Sequence, residues 1–314
     1  MDTPILLVAF NRPDLARLVF ARIRKAKPRR FFLAVDGARA HIESDVAKCQ
    51  QTREIAAEVD WDCEVKTLFH PKNYGCKVAV SSALNWFFGI VDEGIVLEDD
   101  CLPEDSFFSF CQELLEKYRT DERIMMISGN NFQVDRKHSK YSYYFSRYSY
   151  IWGWASWRRA WKLYDVDMSA WPEIREERFL YDIFHENNVA FHWAKVLNNV
   201  YNGFVDTWDY QFNFAAWINN CLSIVPRENL VSNIGFRSDG THVKCASMYA
   251  NVPTKNVTFP LAHPPCIIAN TLADQYAEKK MFDIQSLNRE ILRAVGAKSV
   301  QLLRKALPGK DCQI

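Results

Sequence analysis

The sequence predicts an α/β fold with a mainly parallel sheet, and three observations predict it. Short apolar runs alternate with amphipathic segments through residues 5–127, the order that gives right-handed β-α-β crossovers. Most runs are near-continuously apolar rather than apolar at every second residue, as in strands covered on both faces. Polar turn residues follow each run, chosen for backbone freedom or for side-chain hydrogen bonds to the local backbone.

Ile5 to Phe10 is the first run, and Asn11-Arg12-Pro13-Asp14 supplies the turn and the helix start. Leu15, Leu18, Val19 and Ile23 then repeat at helical spacing until Pro28. Phe31 to Val35 is the second strand and stops at Asp36-Gly37. A polar helix is expected from about Glu43 to Val59, a strand around Val65 to Phe69, a turn through Asn73-Tyr74-Gly75 and a helix from about Lys77 to Phe88. Ile95-Val96-Leu97 runs into Glu98-Asp99-Asp100, and Pro103 closes the segment before a helix whose apolar face is Phe107, Phe110, Cys111, Leu114, Leu115 and Tyr118. Ile124 to Ile127 makes a further strand ending at Ser128-Gly129-Asn130-Asn131.

Beyond Asn131 the alternation stops, and the sequence from Tyr141 to Trp171 is aromatic and polar with mixed periodicity. Helices are expected from about Ser156 to Tyr164, Glu173 to Phe184, Val189 to Tyr201 and Trp208 to Ile218, with a strand near Leu222 to Val225. A last helix, Asp283 to Leu307, carries Arg289, Arg293, Lys298, Arg304 and Lys305, which suit a solvated face or peripheral contact with a membrane surface. Neither a repeat nor a flexible linker interrupts the chain.

Composition narrows the functional classes. The formal net charge of +1 gives no overall field that would recruit nucleic acid. Nine cysteines, an odd number without a C-x-x-C pair, point to a reducing compartment rather than a disulfide framework or a zinc site. The first apolar run is broken at Asn11-Arg12-Pro13, too short for a signal core or a membrane span. A cytoplasmic protein without a transmembrane segment is the expectation.

Parallel strands place Phe10-Asn11-Arg12, Asp36-Gly37, Asn73-Tyr74-Gly75, Glu98-Asp99-Asp100 and Ser128-Gly129-Asn130 at one edge of the sheet, where open α/β sheets bind ligands. Glu98, Asp99 and Asp100 repel one another. A divalent cation shared with phosphate oxygens would relieve that repulsion. Acidic residues that merely solvate a turn before a helix would give the same pattern.

Ala9-Phe10-Asn11-Arg12-Pro13, Val35-Asp36-Gly37 and Leu97-Glu98-Asp99-Asp100 together resemble the nucleotide-sugar glycosyltransferases of the GT-A fold. Within that superfamily the likeness is to Golgi N-acetylglucosaminyltransferases acting on mannose, whose acidic triplet is also Glu-Asp-Asp, and to related bacterial sugar transferases of polysaccharide biosynthesis. It covers roughly residues 4–130 well and the later chain in patches. The resemblance implies a GT-A (Rossmann-like) sheet flanked by helices, with a mixed helical and aromatic acceptor-side part. Residues 1–131 would form the nucleotide-sugar half, 132–250 the acceptor and catalytic half packed on the same sheet, and 251–314 a C-terminal extension. The implied activity is metal-dependent transfer of a hexosyl or N-acetylhexosaminyl group from a UDP-sugar or similar donor to a carbohydrate or glycolipid acceptor, with inversion.

Carried over residue by residue, the likeness puts Phe10, Asn11 and Arg12 against the nucleotide and Asp36 at its base or ribose. Asn73, Gly75 and Lys77 match a turn near the uracil and diphosphate. Asp100 would bind Mn²⁺ or Mg²⁺, with Glu98 and Asp99 nearer the ribose and sugar. Trp208-Asp209 resembles a Trp-Asp pair whose Asp is the base of the inverting enzymes, but a second Asp of that motif is Tyr210 here, so Asp206 stands as the alternative. Asp209 also suits a helix first turn. Burial beside aromatic residues would raise its pKa toward a useful value. Asn233-Ile234-Gly235 with Gly240-Thr241-His242 resembles a loop that closes over the diphosphate, and His242 could bind metal or phosphate. Trp152, Trp154 and Trp157 are candidates to stack on the acceptor or to pack in the core. Two other classes stay open: a sugar-nucleotide nucleotidyltransferase, which needs a Gly-rich basic loop that Phe10-Asn11-Arg12-Pro13 lacks, and a non-catalytic carbohydrate-binding protein.

Overall fold

The computed structural model describes residues 1–133, 139–184, 186–236 and 250–284. Strands β1 (Ile5–Ala9), β2 (Arg30–Val35), β3 (Glu64–Phe69) and β4 (Glu93–Glu98) are joined by helices α1 (Pro13–Ala26), α2 (Glu43–Arg53) and α3 (Gly75–Ile90). They run parallel in the order β3-β2-β1-β4. Then follow β5 (Cys101–Pro103), α4 (Asp105–Lys117), β6 (Ile124–Ser128), β7 (Tyr143–Ser146) and β8 (Trp154–Trp157). Helices α5 (Arg158–Trp161), α6 (Trp171–Glu176), α7 (Leu180–Ile183), α8 (Asn187–Tyr201) and α9 (Asp209–Ile218) precede β9 (Leu222–Pro226), β10 (Val231–Asn233) and α10 (Thr271–Lys280).

The main sheet continues beyond β4 as β8-β6-β9-β7. Strand β8 is antiparallel to both β4 and β6, and β7 is antiparallel to β9, so β6 and β9 regain the direction of β1 to β4. This is the mainly parallel α/β sheet flanked by helices that the sequence predicts. The helix expected from Ser156 differs: Trp154–Trp157 is the inserted strand, because its alternate side chains bury on opposite faces, and only Arg158–Trp161 is helical. The helix expected over Glu173–Phe184 is divided into α6 and α7, with Arg178 between them at φ 60. Strands β7 and β10 carry no periodic signal beyond three or four residues and were not foreseen.

Two apolar cores cover the two faces of the sheet. Ile5, Leu7, Ile95 and Leu97 meet α1 and α4 on one face, while Leu6, Val8, Val96 and Met126 meet α3, α5 and α9 on the other. Burying each such side chain contributes about 1.5–3 kcal/mol. A third, aromatic core of Tyr148, Trp171, Trp193 and Trp217 joins α6 to α10. No helix among the described residues is long and apolar enough to cross a membrane, and the described cysteines are free thiols. The expected helix from Asp283 lies almost wholly outside the described residues.

Candidate active site

Because β1, β2, β3, β4 and β6 share one direction, the residues that follow them lie along one edge. Glu98 ends β4, and Asp99 and Asp100 form the turn into β5. Arg12, just before α1, bridges both Asp residues: its guanidinium pairs with Asp99 and lies 3.0 Å from Asp100 Oδ2. The Phe10 N–H donates to Asp99 at 3.2 Å. Burial opposes the Arg12 charge, but Asp99 and Asp100 more than offset it and hold the guanidinium pKa above its ordinary value.

Asp100 is gripped from the other side by the β5–β10 ladder, in which Cys101 pairs with Asn233. Its carbonyl accepts from Ile234 N–H at 2.8 Å and its carboxylate from Asn233 Nδ2 at 3.3 Å. Gly235 passes so close that a Cβ there would collide with the Asp100 carboxylate and lie 2.8 Å from Arg12. A side chain here would have to displace the Asp100 carboxylate and the Arg12 guanidinium.

Three carboxylates thus face one guanidinium. Burial, then the charges of Asp100 and Asp99, push the Glu98 pKa well up, and burial raises Asp99 against the opposing pull of Arg12. Among the described residues Glu98 Oε1 is sealed from solvent without a hydrogen-bond partner, as is Asn130 Nδ2 after β6. Leaving such a group unpaired costs about 1–3 kcal/mol, more when charged.

Asp36 is the hub of the neighbouring strand ends. It accepts from Gly37 N–H at 2.9 Å, Asn73 Nδ2 at 2.8 Å, Tyr74 N–H at 3.1 Å and Gly75 N–H at 3.2 Å, which fixes the turn into α3. Gly75 adopts φ +80, a left-handed conformation that a side chain would strain. Asn11 donates to the buried Asp45 at 2.7 Å, and Arg39 Nε donates to the same carboxylate at 2.6 Å. The Arg39 guanidinium also lies 5.3 Å from the Phe10 ring centroid. Arg39 and Asp45 give no motif in the sequence; an Arg six residues before an Asp in a loop and helix start is unremarked until the fold closes it.

The second acidic group comes from the α8–α9 loop. Asp206 accepts from Lys77 N–H at 3.3 Å, so it caps the N-terminus of α3 beside Gly75. Asp209 opens α9 and accepts from the Thr207 hydroxyl. The Cys76 thiol is pushed up first by burial and then by the charges of Glu98, Asp209, Asp206 and Asp100. The two acidic groups, more than a hundred residues apart in the chain, therefore both act on Cys76, beside the Gly75 and Lys77 that Asp206 touches.

The aromatic expectations are partly corrected. Trp154, Trp157 and Trp208 are buried, because Trp154 stacks on Trp208 at 5.6 Å between the sheet and α9 while Trp157 donates to Leu115 carbonyl oxygen from the opposite face. They are core, and Trp152 alone of the three candidates stays partly exposed, against Phe132 and Phe236. His242, with Gly240 and Thr241, lies outside the described residues.

Among the described residues no group of three or more His, Cys, Asp or Glu could by itself hold a metal ion. One or two carboxylates from the 98–100 segment fit only a cation whose remaining ligands are phosphate oxygens and water, the usual situation for Mg²⁺ on a nucleotide. The surplus of acid over Arg12 and the orphaned Glu98 Oε1 are consistent with that fit.

The sheet is an eight-stranded, mainly parallel α/β sheet flanked by helices. No protein-family model matches the chain, and no curated protein does. Among solved structures it is similar to the galactosyltransferase LgtC in complex with donor and acceptor sugar analogues, at 10% identity over 68% of this chain and 70% of that one, with a TM-score of 0.37. TarS 1–349 of S. aureus is 10% identical over 74% of this chain and 59% of that one, with a TM-score of 0.43. UTP-bound UGPase from Acinetobacter baumannii is 11% identical over 74% and 88%, with a TM-score of 0.36. These are distant likenesses, and the chemistry rests on this chain's own residues.

Proposed function

We propose that this protein is a glycosyltransferase that moves a sugar from a nucleotide diphosphate donor, in the first instance a UDP-sugar, to a carbohydrate acceptor with inversion. One observation supports it above the others: the acidic strand end at Glu98–Asp100 and a separate carboxylate on the α8–α9 segment both act on Cys76. Inverting transfer needs two such groups, one to manage the leaving diphosphate and one to take the proton of the incoming hydroxyl.

Asp100 would hold Mn²⁺ or Mg²⁺ together with the diphosphate, with Glu98 and Asp99 beside it. When bound, the cation supplies neutralisation of the charge that develops on the leaving group. Arg12 then gains a second anion to pair with, the diphosphate itself, in exchange for part of its hold on Asp99 and Asp100. Phe10 and Arg39 offer a planar stack for the base, and Asn11 the neighbouring amide. Asp209 takes the acceptor proton. Asp206, whose carboxylate accepts from the Lys77 N–H at the N-terminus of α3, is the alternative base. A nucleotidyltransferase would want a Gly-rich, basic phosphate loop after the first strand, which Phe10-Asn11-Arg12-Pro13 does not provide.

Calorimetry with UDP and UDP-sugars, with and without Mn²⁺, tests the reading. Binding should require the metal in the wild-type protein and be lost in Asp100→Ala. Equal affinity of Asp100→Ala and wild type for UDP with Mn²⁺ would remove Asp100 from the donor site.

A further inference from the structure

We propose that Asn130 selects the transferred sugar, its side-chain Nδ2 donating to a hydroxyl on a pyranose edge whose neighbouring hydroxyl donates to Glu98 Oε1. The inference rests on the donor reading given above. Sheet register supplies the juxtaposition. Trp154 pairs with Val96 on β4 and with Ser128 on β6, and past the ladder the Trp152 N–H donates to Asn130 Oδ1, so Glu98 and Asn130 follow the ends of strands that flank the same segment of β8. Glu98 ends β4 on the face of Val96, the face that α3 and α9 cover, and Asn130 follows Gly129, whose Cβ position faces Phe107 and Val231 of the opposite core. The face of α3 and α9 is also the one on which Cys76, Asp206 and Asp209 approach.

The orientation of the Asn130 amide is unambiguous. Its Oδ1 lies 3.1 Å from the Trp152 backbone nitrogen, a group that can only donate, so the oxygen must be on that side and Nδ2 on the other. Asn130 is 1% exposed, and its Nδ2 has no partner among the described residues. Glu98 Oε1 is equally sealed and unpaired. One orphan is a donor and the other an acceptor. A sugar hydroxyl both accepts and donates, so two adjacent hydroxyls satisfy both groups, whereas an apolar ligand satisfies neither. Strands two apart in a sheet are about 9.6 Å apart, which leaves room for a ring edge between the two side chains rather than a direct contact.

A site built to hydrogen-bond hydroxyls discriminates strongly against a ligand that lacks or inverts one. Asn130→Asp is the decisive variant because it keeps the Oδ1 that receives the Trp152 N–H and replaces only the donor. Calorimetry in Mn²⁺ should use UDP, UDP-glucose, UDP-galactose, UDP-N-acetylglucosamine and UDP-N-acetylgalactosamine. We expect Asn130→Asp to bind UDP within about twofold of wild type, which also reports that it is folded, while its affinity for the preferred UDP-sugar falls about tenfold or more and the ranking of the sugars flattens. Asn130→Ala should flatten the ranking in the same way. Retention of the wild-type ranking in both variants, or a wild type that binds every UDP-sugar no better than UDP, overturns the assignment of Asn130. Failure of the wild type to bind UDP at all overturns instead the donor reading on which it rests, and the inference with it.

Discussion

Asp209 and Asp206 sit three residues apart and differ in what already holds them. Asp206 satisfies the backbone N–H of Lys77 at the start of α3, while Asp209 accepts from the Thr207 hydroxyl and its charge acts on both Glu98 and Cys76. Asp209→Asn should therefore keep metal-dependent UDP binding and lose about 10²–10⁴ in turnover, the range of a general base. Asp206→Asn should lose far less turnover, and its defect should appear as lowered melting temperature from the weakened cap. Steady-state rates and UDP titrations on both variants separate the roles; the reverse ranking transfers the base to Asp206. At this scale the sequence was informative about residue type and silent about partners. The triplet Glu98-Asp99-Asp100 is visible as charge, but its countercharge, Arg12, lies 87 residues away in the chain. The orphaned amide of Asn130 looks in sequence like any turn Asn, since only burial makes an unpaired amide unusual.

The elements that carry the acids are fixed by aromatic packing. Helix α9 presents Trp208 and Phe212 to the sheet, where Trp154 meets both at 5.6 Å. The stack joins the strand beside β4 to the helix that starts with Asp209, so the spacing between the two acidic groups depends on it. Trp208→Ala should destabilise the fold by about 3–5 kcal/mol through the cavity it leaves. Chemical denaturation would measure that loss; a change below about 1 kcal/mol would mean that the stack does not hold α9. Runs such as Ile5 to Phe10 and Phe31 to Val35 were legible because a strand buried on both faces needs uniform apolarity. Trp154–Trp157 was not, since aromatic residues with an adjacent Ser and Ala suit a helix equally well, and its pairing with both β4 and β6 is decided by distant neighbours.

For the whole molecule, the acidic edge makes stability depend on pH. Glu98 has a folded-state pKa near 8 against an ordinary 4.5, because of burial and of the charges of Asp100 and Asp99, with Arg12 opposing and Asp209 adding to the rise. The folded protein thus holds a proton that the unfolded chain releases. Its contribution is fully present below about pH 4.5 and is lost as pH rises through about 8. The melting temperature without ligand should fall across that interval, most diagnostically above about pH 7, past the titration of Asp99 and Asp274, whose carboxyls are each raised to about 6. Glu98→Gln should flatten the fall, as should Mn²⁺ with UDP, which replaces the proton as countercharge. A slope that persists unchanged in Glu98→Gln would place its origin elsewhere.

Strand β8 lies between β4 and β6 although it follows both in the chain. During synthesis the first four parallel strands must therefore wait, with the β4 edge open, until Trp154–Trp157 emerges and seals it. An exposed edge of buried-type residues is a template for pairing with other chains. The same late insertion means that the acidic strand end acquires its neighbouring strand only after about half the chain has been made, and the sheet closes later still, when Leu222–Pro226 pairs with both β6 and β7.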